Sequence, residues 1–252
     1  MTTVARSLQE QLLQIATRLD DYAARYERAR DSRCVFTSAY ALMTRVLARE
    51  FGAVKWNDPN WVVMLAEAFV QRYLHALDVF DQGASPGVAW QKTFLAITSV
   101  RTSVLEDLAC GMAAHIIHDL PLALCDVGIE GVNGGSHIRD YHSVNDVLGD
   151  AIEPILQEIT ERYDPWLRWL EIFGRRFEEI LTSYGIRLGR AVAWYNAQRL
   201  LNPASRVPAM DALERSPQVF VDTIFDPPIW SLQFVVRLVD RIISLGRRWP
   251  RA

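Results

Sequence analysis

The chain has 252 residues, a formal net charge of -3, half of its residues hydrophobic, 23% charged, and eight tryptophans. So weak a charge offers no field to attract nucleic acid or an anionic membrane surface, and the apolar content excludes a disordered chain. Ample apolar surface remains for one sizeable core, so a single domain over residues 1–252 is expected.

Apolar residues recur every three or four positions from Thr3 to about Arg30 (Val4, Leu8, Leu12, Ile15, Leu19, Tyr22), the pattern of a long amphipathic helix. Asp31 and Ser32 interrupt it, and Cys34 to Phe51 repeats it, with Gly52 as the stop. Asp58 and Pro59 read as N-cap and first position of a helix to about Phe80, which Asp81, Gln82 and Gly83 end. Ser85 and Pro86 open another helix through Trp90 and Phe94, and a further one runs from about Thr102 into a histidine-rich stretch. Gly128 to Ser136, with four glycines, is a loop. A helix from about Ile138 to Tyr163 is expected to bend at Pro154. Asp164 and Pro165 start a helix with Trp166, Trp169 and Phe173 on its inner side, ending near Gly185, and Ile186 to Leu201 forms another. Pro203, Pro208 and Pro217 make Asn202 to Ser216 irregular or short-helical, and a last helix covers Ile229 to about Arg248. Without period-2 alternation or a repeat unit, the chain is expected to be all-α, one globular bundle of about eight to ten helices.

Cys34, Cys110 and Cys125 are an odd set without C-x-x-C spacing, against both a disulfide framework and a cysteine zinc site. No stretch reaches the roughly 20 consecutive apolar residues of a membrane span, and the start lacks a signal peptide's order. A soluble cytoplasmic protein is expected, with no nucleic-acid partner and an oligomer compatible with the sequence. The basic pairs Arg175-Arg176 and Arg247-Arg248 read as solvated helix ends.

Four of the five histidines, His115, His118, His137 and His142, fall between Gly111 and Glu153. Two of them are followed four residues later by an aspartate, His115 by Asp119 and His142 by Asp146, and such pairs share a helix face. Gly111, Ala113 and Ala114 let another helix or a ligand approach closely, and Pro121 is expected to end or kink the helix after Asp119. His142, Asp146, Gly149 and Glu153 lie in a stripe about 60° wide at about 100° per residue. Were the two segments to face each other, His115, Asp119, His137, Asp140, His142, Asp146 and Glu153 could hold zinc, manganese, iron or magnesium. Without a metal, His115, His118, Asp119 and His142 could still transfer protons near neutral pH. Trp61, Tyr73, Trp90, Tyr141, Asn145 and Trp194 could bind a small, partly apolar substrate, and His75 reads as a core or interface histidine. The same cluster could instead serve packing in a non-catalytic protein that binds an apolar ligand or partner helix.

Ala114, His115, Ile116, Asp119, Leu120, Pro121, Ala123 and Leu124 resemble the A-H-I-x-x-D-L-P-x-A-L motif of an uncharacterised bacterial all-α family, a domain of unknown function. Asp140-Tyr141, Val144-Asn145, Phe36-Thr37, Tyr40, Arg190 to Trp194 and Ala197 extend that resemblance over most of the chain. Ala113 and Ile117 stand where that family has asparagine, and the family brings no activity. The paired His-x-x-x-Asp motifs also resemble the all-α zinc phosphoesterases of the phospholipase C and P1 nuclease type. That likeness implies His115, Asp119, His137, His142 and Asp146 as ligands and hydrolysis of a phosphoester, although the further upstream ligands of those enzymes are missing. Asn145-Asp146-x-x-Gly149-x-x-x-Glu153 is similar in spacing to the magnesium motif of class I terpene cyclases, implying a cyclase or lyase acting on a diphosphate. Its aspartate-rich partner has only Asp78 and Asp81 as stand-ins.

Overall fold

The structure, a computed structural model, describes residues 3–99, 102–131, 134–165 and 183–225. Its elements are α1 (Thr3–Ala29), α2 (Arg33–Glu50), α3 (Pro59–Asp81), α4 (Val88–Ser99), α5 (Val104–Ala113), a π-helical turn (Ala114–Asp119), α6 (Leu120–Val127), α7 (Ile138–Gly149), α8 (Ile152–Tyr163), α9 (Ser183–Leu201) and α10 (Arg206–Phe225). The fold is all-α. Among the described residues the only β pairing is an isolated bridge, Glu130 to Ser136, across the glycine loop.

The helix boundaries follow local chemistry. Arg30, in left-handed backbone (φ 57°), closes α1. The Asp58 side chain accepts from the Trp61 amide at 3.0 Å, and Pro59 follows it at the start of α3. Ser103 and Glu106 form a reciprocal capping box at the start of α5. Two expectations need correction, both concerning proline. The break between α7 and α8 falls at Asp150–Ala151 rather than at Pro154, because Pro154 occupies the first turn of α8, where an amide donor is not required. Residues 206–225 form one helix, with Pro208 in its first turn and Pro217 buried within it. The helices expected over residues 166–182 and 229–248, with both basic pairs, lie outside the described residues.

The α1–α2 hairpin packs on α3, and α5 passes beneath α2, α4 and α8. On the far side α6 packs on α9 and α3. Gly111 permits the α5–α2 approach, since a Cβ there would collide with the Phe36 side chain. Arg33, 8% exposed, clamps the turn ends: it donates to Asp31 and to Asp81 and lies 4.2 Å above the Tyr26 ring. The continuous rod Val104–Val127 is long and apolar enough, by length and composition, to cross a membrane. Runs of uninterrupted apolar residues conceal this, because Glu106, Asp107, His115, His118 and Asp119 punctuate the rod. Since 67% of its most apolar stretch is buried inside the protein, it serves as the central helix of the bundle.

Candidate functional site

Pro121 does not end the rod. It lacks the amide that would bond the carbonyl of residue 117, and its ring crowds that carbonyl. The backbone widens before it into the π-helical turn Ala114–Asp119, closed by the Leu120 amide donating to the His115 carbonyl. Such turns tilt side chains away from regular helical positions, and this one carries His115, His118 and Asp119.

Asp119, 2% exposed, accepts three hydrogen bonds: from Trp90 Nε1 at 2.9 Å and His115 Nδ1 at 2.9 Å on Oδ2, and from His118 Nδ1 at 2.8 Å on Oδ1. Burial alone would raise its pKa, but the two imidazole hydrogen bonds outweigh burial and hold the carboxyl below its ordinary 3.8. An ionised carboxylate only accepts, so the proton of neutral His115 sits on Nδ1 and the lone pair on Nε2. Burial pushes His115 below its ordinary 6.5, with Asp119 opposing. His115 is therefore a neutral base at pH 7. Its Nε2 is buried and meets no hydrogen-bond partner among the described residues.

The imidazole is held by rings rather than by other polar groups. It stacks on Phe69 with centroids 3.5 Å apart and planes 5° from parallel, and Tyr40 stands edge-on at 4.7 Å. Phe36, Tyr73 and Trp90 surround it at 5.8, 5.6 and 6.2 Å. His115, Phe36, Tyr40 and Phe69 also line a cavity of about 150 Å³ whose remaining wall is mostly aliphatic, with Met43, Leu65, Met112, Val144, Leu148 and Ile155 among its members. Among the described residues, Arg190 of α9 is the one charged side chain on that wall. Burial, reinforced by the charge of Asp119 and opposed by Arg190, pushes the Tyr40 phenol well above 10.0, so it stays protonated.

The second half of the expected site lies elsewhere. On α7 the inward face is Tyr141, Val144, Asn145 and Leu148, which places His142 and Asp146 about 100° round the helix. Both are exposed, and Asp146 pairs with Arg187 at 2.9 Å. Glu153 is exposed on the next helix. Asp140 is buried as a clamp: its carboxylate accepts from the amides of Asn57 and Asp58, at 2.8 and 2.7 Å, ahead of α3. His137 stacks on Trp61 at 4.5 Å, and the Trp61 indole donates to the Gly128 carbonyl at 2.7 Å. Among the described residues no three His, Cys, Asp or Glu side chains converge as a metal site. The seven-ligand constellation is thus not brought together, and the ligand sets carried over from the zinc phosphoesterases and the terpene cyclases are dispersed with it.

The aromatic expectations divide in the same way. Tyr73 and Trp90 form the cage behind His115, whereas Trp61, Tyr141 and Trp194 make a second group of rings in the same core, with Trp194 6.4 Å from Trp61 and 4.9 Å from Tyr141. None of the six residues expected to touch substrate lines the cavity, although Asn145 binds its arginine. His75 is exposed on the outer face of α3, not in the core. Tyr40, Phe69 and Arg190 were missing from the expected site. Tyr40 and Arg190 stand in the segments that extend the family resemblance, which was the available signal for them.

Fold and site together define an α-helical bundle built round a buried imidazole–carboxylate pair beside an apolar cavity. The chain belongs to a family of unknown function, DUF5995, whose family model matches residues 12–227. No curated protein and no solved structure matches it.

Proposed function

We propose that this protein is an enzyme that transfers a proton to or from a small apolar molecule held in the central cavity, with His115 as general base and Asp119 as the group that orients and charges it. The observation that carries the reading is a buried Nε2, without a partner among the described residues, on a histidine whose Nδ1 is tied to an ionised carboxylate. A buried polar nitrogen without a partner costs stability, and a ligand proton would satisfy it. Proton uptake at Nε2 creates an imidazolium beside Asp119, whose negative charge stabilises it. Tyr40, protonated and in electrostatic range of Asp119 and Arg190, is suited to donate a hydrogen bond to an oxygen of the same molecule. The reaction class is hydrolysis or proton abstraction next to a carbonyl.

Incubation in D2O with single-ring ketones and esters, read by NMR, tests this reading. Wild type should speed exchange or cleavage over buffer, and His115→Phe should lose about 10²- to 10⁴-fold of that rate, the usual share of a general base. Equal rates for the two proteins would overturn it. A second reading, a non-catalytic carrier of an apolar ligand, is favoured by the scarcity of polar groups on the cavity wall. It predicts binding of single-ring compounds that His115→Phe leaves intact, without turnover.

A further inference from the structure

Arg190 is 6% exposed and lines the cavity. A guanidinium cannot discharge by losing its proton, so when buried it ordinarily meets a carboxylate. Here every partner among the described residues is neutral. Nε donates to the Asn145 side-chain oxygen, Nη2 donates to the Tyr141 carbonyl at 3.3 Å, and the carbon of the group lies 4.3 Å above the Tyr141 ring. No described Asp or Glu comes within ion-pair distance, and the nearby Asp146 is taken by Arg187 on the outer face. Those contacts use two of the five N–H groups of the fork.

We infer that the ligand of the central cavity is a small monocarboxylic acid, whose carboxylate pairs with Arg190 and whose apolar body fills the space beside His115. This rests on the reading of that cavity as the site. The size limit follows from its volume, since about 150 Å³ with apolar walls accommodates a single benzene ring. One cation that no described carboxylate compensates, in an otherwise uncharged chamber, matches one negative charge, which favours a carboxylate over the doubly charged phosphate of a monoester. The fork of an arginine also takes the two carboxylate oxygens side by side.

The test is calorimetric titration of the full chain with benzoate, 3-methylbutanoate, phenyl phosphate, and the uncharged isosteres benzamide and benzyl alcohol. Wild type should bind the carboxylates about tenfold or more tighter than the isosteres, as a charge-assisted hydrogen bond implies. Arg190→Gln should remove that preference while leaving the uncharged compounds unchanged, and Arg190→Lys should keep part of it. The preference in wild type stands as a test even if the variants do not fold. Isosteres that bind as tightly as carboxylates, or tighter binding of phenyl phosphate, would overturn the inference and leave the cavity as a ligand site. Absence of binding by every compound would remove both.

Discussion

Replacing Asp119 offers the sharpest test of how the core is held. In Asp119→Ala, the indole N–H of Trp90 and the Nδ1–H of His115 lose their acceptor inside the protein, while His118, 19% exposed in its side chain, can turn to water. Each stranded donor costs about 1–3 kcal/mol, and the truncation leaves a small void. Relief of the buried carboxylate offsets part of this, giving a net loss of about 3 kcal/mol. Asp119→Asn should behave differently. Trp90 can only donate, so the amide oxygen must take the Oδ2 position and keep both bonds there. The amide nitrogen then faces His118, which can accept by moving its own proton. All three charge-assisted bonds become neutral ones, the one to His118 with its direction reversed, and relief of the buried charge offsets part of this, leaving a loss of about 1–2 kcal/mol. Urea unfolding followed by tryptophan fluorescence measures both variants, and ¹⁵N NMR reports the tautomer. If Asn costs as much as Ala, or if His115 shifts its proton to Nε2 in the Asn variant, the assignment of Asp119 as the fixed acceptor is wrong.

Other predictions concern single groups. Because the His115 pKa is lowered in the folded state, the unfolded chain binds the extra proton first. Stability should therefore be full above the unfolded value near 6.5 and fall as the pH drops from there toward the folded value. In His115→Phe that part of the slope should vanish, and urea midpoints that keep the wild-type slope would count against a neutral buried imidazole. Asp140→Ala should cost about 1–3 kcal/mol by orphaning two backbone amides. Hydrogen exchange should speed up at Asn57 and Asp58 ahead of changes elsewhere, and unchanged protection there would refute the clamp. Gly111→Ala should destabilise by about 1–3 kcal/mol, since Phe36 is wedged among other rings and cannot yield. A rise in melting temperature in that variant would show that α2 moves freely. His142→Ala and Asp146→Ala, both on the exposed flank of α7, should change stability by no more than about 0.5 kcal/mol and leave ligand titrations unaltered. Loss of binding in either would restore the second His-x-x-x-Asp pair to the site.

Much of the helical plan was legible because it depends on local rules. The caps at Asp58 and the stop at Gly83, with its φ of 76°, follow from residue type alone. The misplaced break before α8 and the unexpected continuity of α10 share one cause. Proline marks a boundary only when its missing amide is needed, and at Pro154 and Pro208, each in a first turn, it is not; Pro217 lies inside α10, where the helix continues past the one hydrogen bond it lacks. His115 and Asp119 were legible as a pair because helical spacing brings them together within one segment. The pairing of His142 with them was a statement about how two helices face each other. That depended on the phase of α7, where Tyr141, Val144 and Leu148 outweigh the polar stripe and turn it outward. Tyr40, Phe69 and Arg190 come from three different helices, and no spacing rule joins them. Only tertiary packing makes them one chamber.

The wide turn at Ala114–Asp119 lets one continuous rod serve two neighbourhoods that a uniform helix could not. Each surplus residue in a turn rotates the downstream half of the rod by about 100°, so Leu108 and Cys110 meet one set of neighbours while Leu120 and Leu124 are redirected to another. Deleting a single position there, Ile117 for instance, would straighten the coil and swing one of its halves out of register with the bundle.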